Sequence, residues 1–270
     1  MTGHWLRLNR LFTEGKRAII VAVDHGEFLG PIQGMVDLPS AVGPLTTADA
    51  VLLSPGMMGH CGSLFDHRGA PLAMIRLDWN TALCEQWGYQ RARVAQVVTP
   101  ADALAMGGDL CLASLALGGS DEERDTAGVD QFARFARLKQ ECGLPLVGEY
   151  CPPNAGRLNP EDLHQRVLVG CRLLAELGAD AIKTYYTGEA FQEVVEATPV
   201  PVITQVAERL TTPLDVLSFA QKAASSGARG VVLGRPVMQA EYPDLLLRAL
   251  ARVVKEDADP EEVASELGLA

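Results

Sequence analysis

The sequence is short of several things. None of its apolar runs reaches the roughly 18 residues of a membrane-spanning helix, and its opening, MTGHWLRLNRLF, has no apolar h-region with a small-residue cleavage site. These absences predict a cytoplasmic protein with no membrane partner. The six cysteines (Cys61, Cys84, Cys111, Cys142, Cys151, Cys171) include no C-x-x-C pair, and several sit inside apolar runs. They read as reduced, buried thiols, which excludes a disulfide framework or a zinc site. Positive charge is scarce, with 23 basic against 34 acidic residues and a formal charge of -11. Such a chain has no broad basic footprint to lay along a phosphate backbone, so nucleic acid is not an expected partner. The five histidines (His4, His25, His60, His67, His164) show no ligand spacing, and no metal site is expected.

What is present is a chain of 270 residues with 48% hydrophobic character, longer than the roughly 100–200 residues of an average domain and in the range of one α/β barrel. Eight short apolar segments, at 17–24, 48–54, 71–78, 108–117, 145–150, 179–184, 200–206 and 228–234, alternate for the most part with helical patterns. Helix starts are marked by Thr99-Pro100, Asn159-Pro160, Thr212-Pro213 and Asp259-Pro260, each a capping residue followed by Pro and acidic residues in the first turn. In DEERDTAGVDQFARFARLKQEC, Phe132, Phe135 and Leu138 form the expected buried stripe. Residues 26–47 and 55–70 carry Gly, Pro and His without helical periodicity and read as long loops. The pattern predicts a (β/α)8 TIM barrel, one domain over residues 1–270, with its chemistry on loops at the C-terminal ends of the strands.

Several residues fall at those ends. Of five lysines, four lie in helices or termini among polar neighbours, whereas Lys183 closes a buried strand in ADAIKTYYTG. A lysine there either becomes a nucleophile, its pKa lowered by desolvation, or extends its ammonium to solvent or to an acid. Asp24 and His25 end the first strand, where they either orient an amine and shuttle protons or serve the local backbone. Tyr150 ends the fifth, as an acid/base phenol or as a packed ring. Gly234-Arg235-Pro236 follows the eighth strand, where barrels bind phosphate and where Arg235 is otherwise an ordinary surface cation.

These strand ends carry a resemblance. Asp24-His25-Gly26 with Gly30-Pro31, the A-D-x-x-K-T-x-Y-T-G block at 179–188 and G-x-x-x-G-R at 230–235 resemble the class I aldolases of the archaeal fructose-bisphosphate aldolase type, the DhnA or DeoC/LacD family, over most of the chain. The resemblance implies a cytoplasmic homo-oligomeric lyase of carbohydrate metabolism that makes or breaks a C–C bond in a ketose or ketose phosphate without metal or cofactor. Lys183 would form the Schiff base, Tyr150 would serve the enamine carbon as acid/base, and Asp24 would assist carbinolamine dehydration. Gly234 and Arg235 would hold a phosphate. The chain departs from the family twice. Gln205, Val206 and Ala207 stand where a Gly-Gly-Pro segment is usual, so either the phosphate shifts toward Arg209 and Arg235 or the substrate is not a 1-phosphate. The family's Tyr-Pro-Arg-Gly reads here as Tyr150-Cys151-Pro152-Pro153. The alternatives are a related lysine-dependent transferase, heptulosonate synthase-like or thiolase-like with His25 as base, and a non-catalytic sugar-phosphate binding barrel.

Overall fold

Period-two alternation in the apolar segments decides which side chains enter the barrel and which meet the helices. The computed structural model describes residues 3–13, 16–89, 92–117, 121–206 and 210–269. In chain order the strands are β1 (Ala18–Ala22), β2 (Ala50–Leu53), β3 (Leu72–Arg76), β4 (Asp78–Asn80), β5 (Val94–Gln96), β6 (Leu110–Ser114), β7 (Leu146–Tyr150), β8 (Ala181–Tyr185), β9 (Val202–Gln205) and β10 (Gly230–Leu233). Among the described residues, the strands other than β4 and β5 form a closed parallel barrel in the order β1-β10-β9-β8-β7-β6-β3-β2. Each barrel strand lies in one of the expected apolar segments, except that β8 runs on to Tyr185. The antiparallel β4–β5 ladder was not expected, because its three-residue strands have no alternating apolar face and Ala95 and Gln96 are exposed.

Residues 18, 20 and 22 of β1 point into the barrel with Leu52, Met74, Leu112, Val147, Ala181, Ile203 and Val232, forming one apolar cluster. The alternate residues, Ile19, Val21, Leu53, Ile75, Cys111, Ile182 and Leu233, join a second cluster under the helices. Helix α1 (Gly3–Leu11) closes the N-terminal end, with Leu11 and Phe12 completing the interior cluster. Asp49, Asp109 and Asp180 stand just before their strands and accept from the amides of Ile19, Ala73 and Leu146 in neighbouring strands at 2.7, 3.1 and 2.7 Å. These bonds fix the register at the base and leave the opposite end for chemistry.

The loops expected to lack long helices hold only single turns: α2 (Gly26–Leu29), α3 (Leu38–Ala41) and α4 (Pro55–Met58). The remaining helices are α5 (Pro100–Ala105), α6 (Glu122–Cys142), α7 (Pro160–Glu176), α8 (Phe191–Ala197), α9 (Pro213–Ser225), α10 (Arg235–Met238), α11 (Pro243–Glu256) and α12 (Pro260–Glu266). Thr99 and Thr212 form capping boxes with Asp102 and Asp215, while Asn159 and Asp259 accept first-turn amides. On α6, Phe132 and Phe135 are buried as expected, but Lys139 is buried more deeply than Leu138. Its ammonium donates to Gly178 O at 2.6 Å and pairs with Asp180 at 2.5 Å, so this lysine is structural and not one of the polar-face lysines.

Candidate active site

Toward the C-terminal end of the barrel the inward positions turn from apolar to charged. Arg76 ends β3, Ser114 ends β6, Glu149 is the penultimate residue of β7 and Lys183 the third of β8, all on the inward parity. Asp24 follows β1, and these side chains are nearly fully buried, with Lys183 5% exposed. Glu149 and Lys183 are register partners across β7 and β8, and Lys183 Nζ donates to Glu149 Oε1. Arg76 grips the same carboxylate with two nitrogens, at 2.8 and 3.1 Å, and donates its Nε to Asp24 Oδ2 at 2.6 Å. Ser114 Oγ donates to Glu149 Oε2 at 2.9 Å, and the Ser114 amide donates to Asp78 Oδ2 at 2.6 Å. The result is a continuous chain, Asp24–Arg76–Glu149–Lys183, with alternating charge.

Burial alone would raise the pKa of Glu149, but Arg76 and Lys183 prevail and hold its carboxyl well below the usual range. Burial likewise opposes the ammonium of Lys183, yet Glu149, with Cys151 and Asp24, leaves its pKa above that of an ordinary lysine. Desolvation was expected to lower it. The expectation fails because the buried amine sits on a carboxylate. Asp78 and Glu27 behave oppositely: burial pushes both up to about 7, against the pull of Arg76. His25 is lowered by burial, with Asp24 opposing, and is neutral at pH 7.

At the same end of the barrel lies a cavity of about 1040 Å³, walled by His25, Gln205, Gly234 and Arg235 together with Leu29 and Leu210. His25 Nδ1 stands 3.9 Å from Asp24 Oδ1, beyond hydrogen-bond range. Gly234 is required where it is: a Cβ there would lie 2.3 Å from His25 Cε1 and 2.8 Å from Ala22 O. Arg235 is exposed at the rim. Arg209, and Ala207 beside it, lie outside the described residues. The structure thus brings His25, Gln205, Gly234 and Arg235 together on the cavity wall, with Asp24 beside His25 and Lys183 in the buried ionic chain.

The profile of the DeoC/LacD family aldolases matches residues 18–240. The chain belongs to that family. This aldolase is 34% identical over 275 residues to a 2-amino-3,7-dideoxy-D-threo-hept-6-ulosonate synthase of Halobacterium salinarum, covering 99% of the chain and 97% of the relative. It is 30% identical over 266 residues to an uncharacterized aldolase of Saccharolobus solfataricus, covering 96% and 97%. A solved archaeal fructose-1,6-bisphosphate aldolase, with its catalytic lysine bound to the carbinolamine intermediate of the substrate, superposes with a TM-score of 0.77 at 25% identity, covering 93% of this chain and 99% of that one. The aldolase is accordingly a lyase on a TIM barrel.

Tyr150 does not join the site. It has the outward parity, its ring lies against α7, and a Cβ at Gly170 would come within 2.2 Å of Tyr150 Cδ1. Burial pushes its phenol up to about 12. The next residue, Cys151, faces the mouth, where its sulfur takes a hydrogen bond from Gln205 Nε2 at 3.4 Å. Cys151, not Tyr150, is therefore the residue at the end of β7 that turns toward β9. Sequence reasoning also missed Arg76, Asp78, Ser114 and Glu149. A signal existed for two of them: Arg76 in PLAMIRLD and Glu149 in PLVGEY are charges inside apolar strands, the same mark that singled out Lys183. Among the described residues no cluster of three or more His, Cys, Asp or Glu is arranged to hold a metal ion.

Proposed function

We propose that this aldolase cleaves or forms a C–C bond in a ketose or ketose phosphate through a Schiff base on Lys183. The observation that carries this reading is the buried Lys183–Glu149 contact inside the C-terminal end of the barrel. An ammonium cannot attack a carbonyl. Glu149, gripped by Arg76, holds it in place as an ion pair, so its proton leaves to water or substrate before the amine adds. The freed amine adds to the ketose carbonyl, and loss of water from the carbinolamine gives the iminium. In this reading Asp24, held by Arg76, sets the field in which that dehydration occurs, and neutral His25 stands ready to pass a proton. The iminium then accepts the electrons of the breaking C3–C4 bond, releasing an aldehyde and leaving an enamine. The protonated nitrogen is the electron sink, so the chemistry needs neither metal nor organic cofactor. Arg235, Gly234 and Gln205 line the space for the far end of the substrate, with Arg235 as phosphate donor.

A second reading keeps the iminium and passes the enamine to another carbonyl compound, as in a transferase. The 34% identity with the heptulosonate synthase favours giving it a test. Borohydride reduction with dihydroxyacetone phosphate, dihydroxyacetone or fructose 1,6-bisphosphate, followed by peptide mass spectrometry, should label Lys183 and fail in Lys183→Met. Product analysis with added aldehyde acceptors or coenzyme A then separates cleavage from transfer. A barrel that only binds sugar phosphates would be stabilised by ligand and never labelled.

The same reading takes residues 1–270 as a single domain acting in the cytoplasm, within carbohydrate metabolism, on a free small molecule and not on nucleic acid, in keeping with the charge of -11. Self-association into a homo-oligomer is supported by Val169 and Leu173, one turn apart on α7 and 55% and 40% exposed.

A further inference from the structure

A Schiff-base lyase needs a group to deliver a proton to the enamine carbon, and with Tyr150 turned outward that group has to be found elsewhere. The chain has five tyrosines. Tyr89 lies in the loop between β4 and β5, where its ring meets Trp79, and Tyr242 is exposed before α11. Tyr186 packs on the helix side of β8, its ring 5.3 Å from Phe191 and 5.9 Å from Phe219. Alternation then sends Tyr185 the other way, onto the inward face it shares with Lys183, two residues before it on the same strand. Its register partner on β9 is Gln205, and its hydroxyl hydrogen-bonds the thiol of Cys151, the same sulfur that receives Gln205 Nε2. The phenol is therefore tethered between β7 and β9, at the next inward position along β8 after Lys183.

The geometry points to Tyr185 as the catalytic acid that protonates the enamine carbon, reached from β8 where the neighbouring strand offers only the Cys151 thiol. This rests on the Schiff-base reading of Lys183. In the step, the O–H bond of Tyr185 breaks and a C–H bond forms at C3 from the enamine π pair. The nitrogen lone pair restores the iminium. The phenolate left behind is stabilised by that cation and regains its proton from water. In reverse, the phenolate removes the C3 proton from the iminium. Cys151 holds the hydroxyl in place and Gln205 holds Cys151, so both are positioning residues.

The test uses the whole protein with dihydroxyacetone phosphate and dihydroxyacetone as separate probes. Exchange of the C3 hydron with D2O is followed by NMR, and iminium formation by borohydride trapping. In Tyr185→Phe the trapped adduct on Lys183 should form to within about twofold of wild type, while exchange falls by about 100-fold or more. Tyr150→Phe, which removes a hydroxyl pointing away from the site, should change neither. Exchange in Tyr185→Phe within threefold of wild type overturns the assignment. With no wild-type adduct from either probe, the Schiff-base reading fails and the assignment falls with it, an outcome distinct from the first. Should Tyr185→Phe not fold, uniform replacement of tyrosine by 3-fluorotyrosine should move the alkaline limb of the exchange profile to lower pH, and an unmoved limb overturns the proposal.

Discussion

Glu149 and Lys183 face each other across the β7–β8 register, and the carboxylate of the one carries the ammonium of the other inside the barrel. Arg76 donates to both oxygens of the same carboxylate, so Glu149 is the anion that two buried cations share. Glu149→Gln removes that charge without changing the shape of the side chain. It should destabilise the fold by about 3–5 kcal/mol, the usual penalty for stranding a buried charge, and should shift the pH dependence of borohydride labelling of Lys183. Urea unfolding and labelling rates measured side by side would check both, and unchanged stability would mean that Arg76 and Lys183 find other partners.

Because Glu149 raises the pKa of Lys183, little of the amine is neutral at pH 7. The rate of adduct formation should therefore climb with pH through about 7 to 10, as far as the ordinary lysine range. In Glu149→Gln the rise should begin at lower pH, since burial then acts unopposed by that carboxylate. A rate flat across this range would show that the reacting amine is not held as an ammonium.

Stability should also depend on pH, with opposite signs in two windows. Glu149 has a depressed folded-state pKa, so its contribution is present above the unfolded carboxylate value near 4.3 and is lost as pH falls below it. Asp78 and Glu27 are raised to about 7, so between about 4 and 7 the folded state binds more protons than the unfolded chain and stability falls as pH rises. A plot of Tm against pH should peak on the acid side of neutrality. Asp78→Asn should flatten its upper limb, and an unflattened limb would remove Asp78 from the account.

Gly234 and Gly170 are both blocked against a Cβ, by His25 in the mouth and by Tyr150 under α7 respectively. Alanine at either position should cost about 1–3 kcal/mol through overpacking. Only Gly234→Ala should also weaken binding of dihydroxyacetone phosphate, measured by calorimetry, because only that glycine lines the cavity. Equal binding losses in the two variants would contradict the placement of Tyr150 outside the site.

Arg235 is exposed where it lines the cavity. Arg235→Ala should raise the half-saturating concentration of dihydroxyacetone phosphate on the order of tenfold, the value of a charged hydrogen bond, and leave that of dihydroxyacetone unchanged. A loss shared by both ligands would assign Arg235 to folding of the α10 turn.

The barrel was legible in the sequence because its signals are local. Eight apolar segments, four capped helix starts such as Thr212-Pro213 and a lysine inside ADAIKT are each settled within a few residues of chain. The motifs around Asp24, Lys183 and Gly234-Arg235 likewise mark the end of the barrel at which the site is built. Tyr150 was misread because at a strand terminus one residue decides between inside and outside, and the apolar run in PLVGEYC, buried on both faces, carries no alternation to fix the parity. Arg76, Ser114, Glu149 and Asp24 become one network only when β1, β3, β6 and β7 close into a barrel, over separations as long as 73 residues between Arg76 and Glu149. Local chemistry chose the elements and the buried strand position of Lys183. Closure of the sheet chose its partner Glu149, because residues 34 apart in sequence meet only across the β7–β8 register.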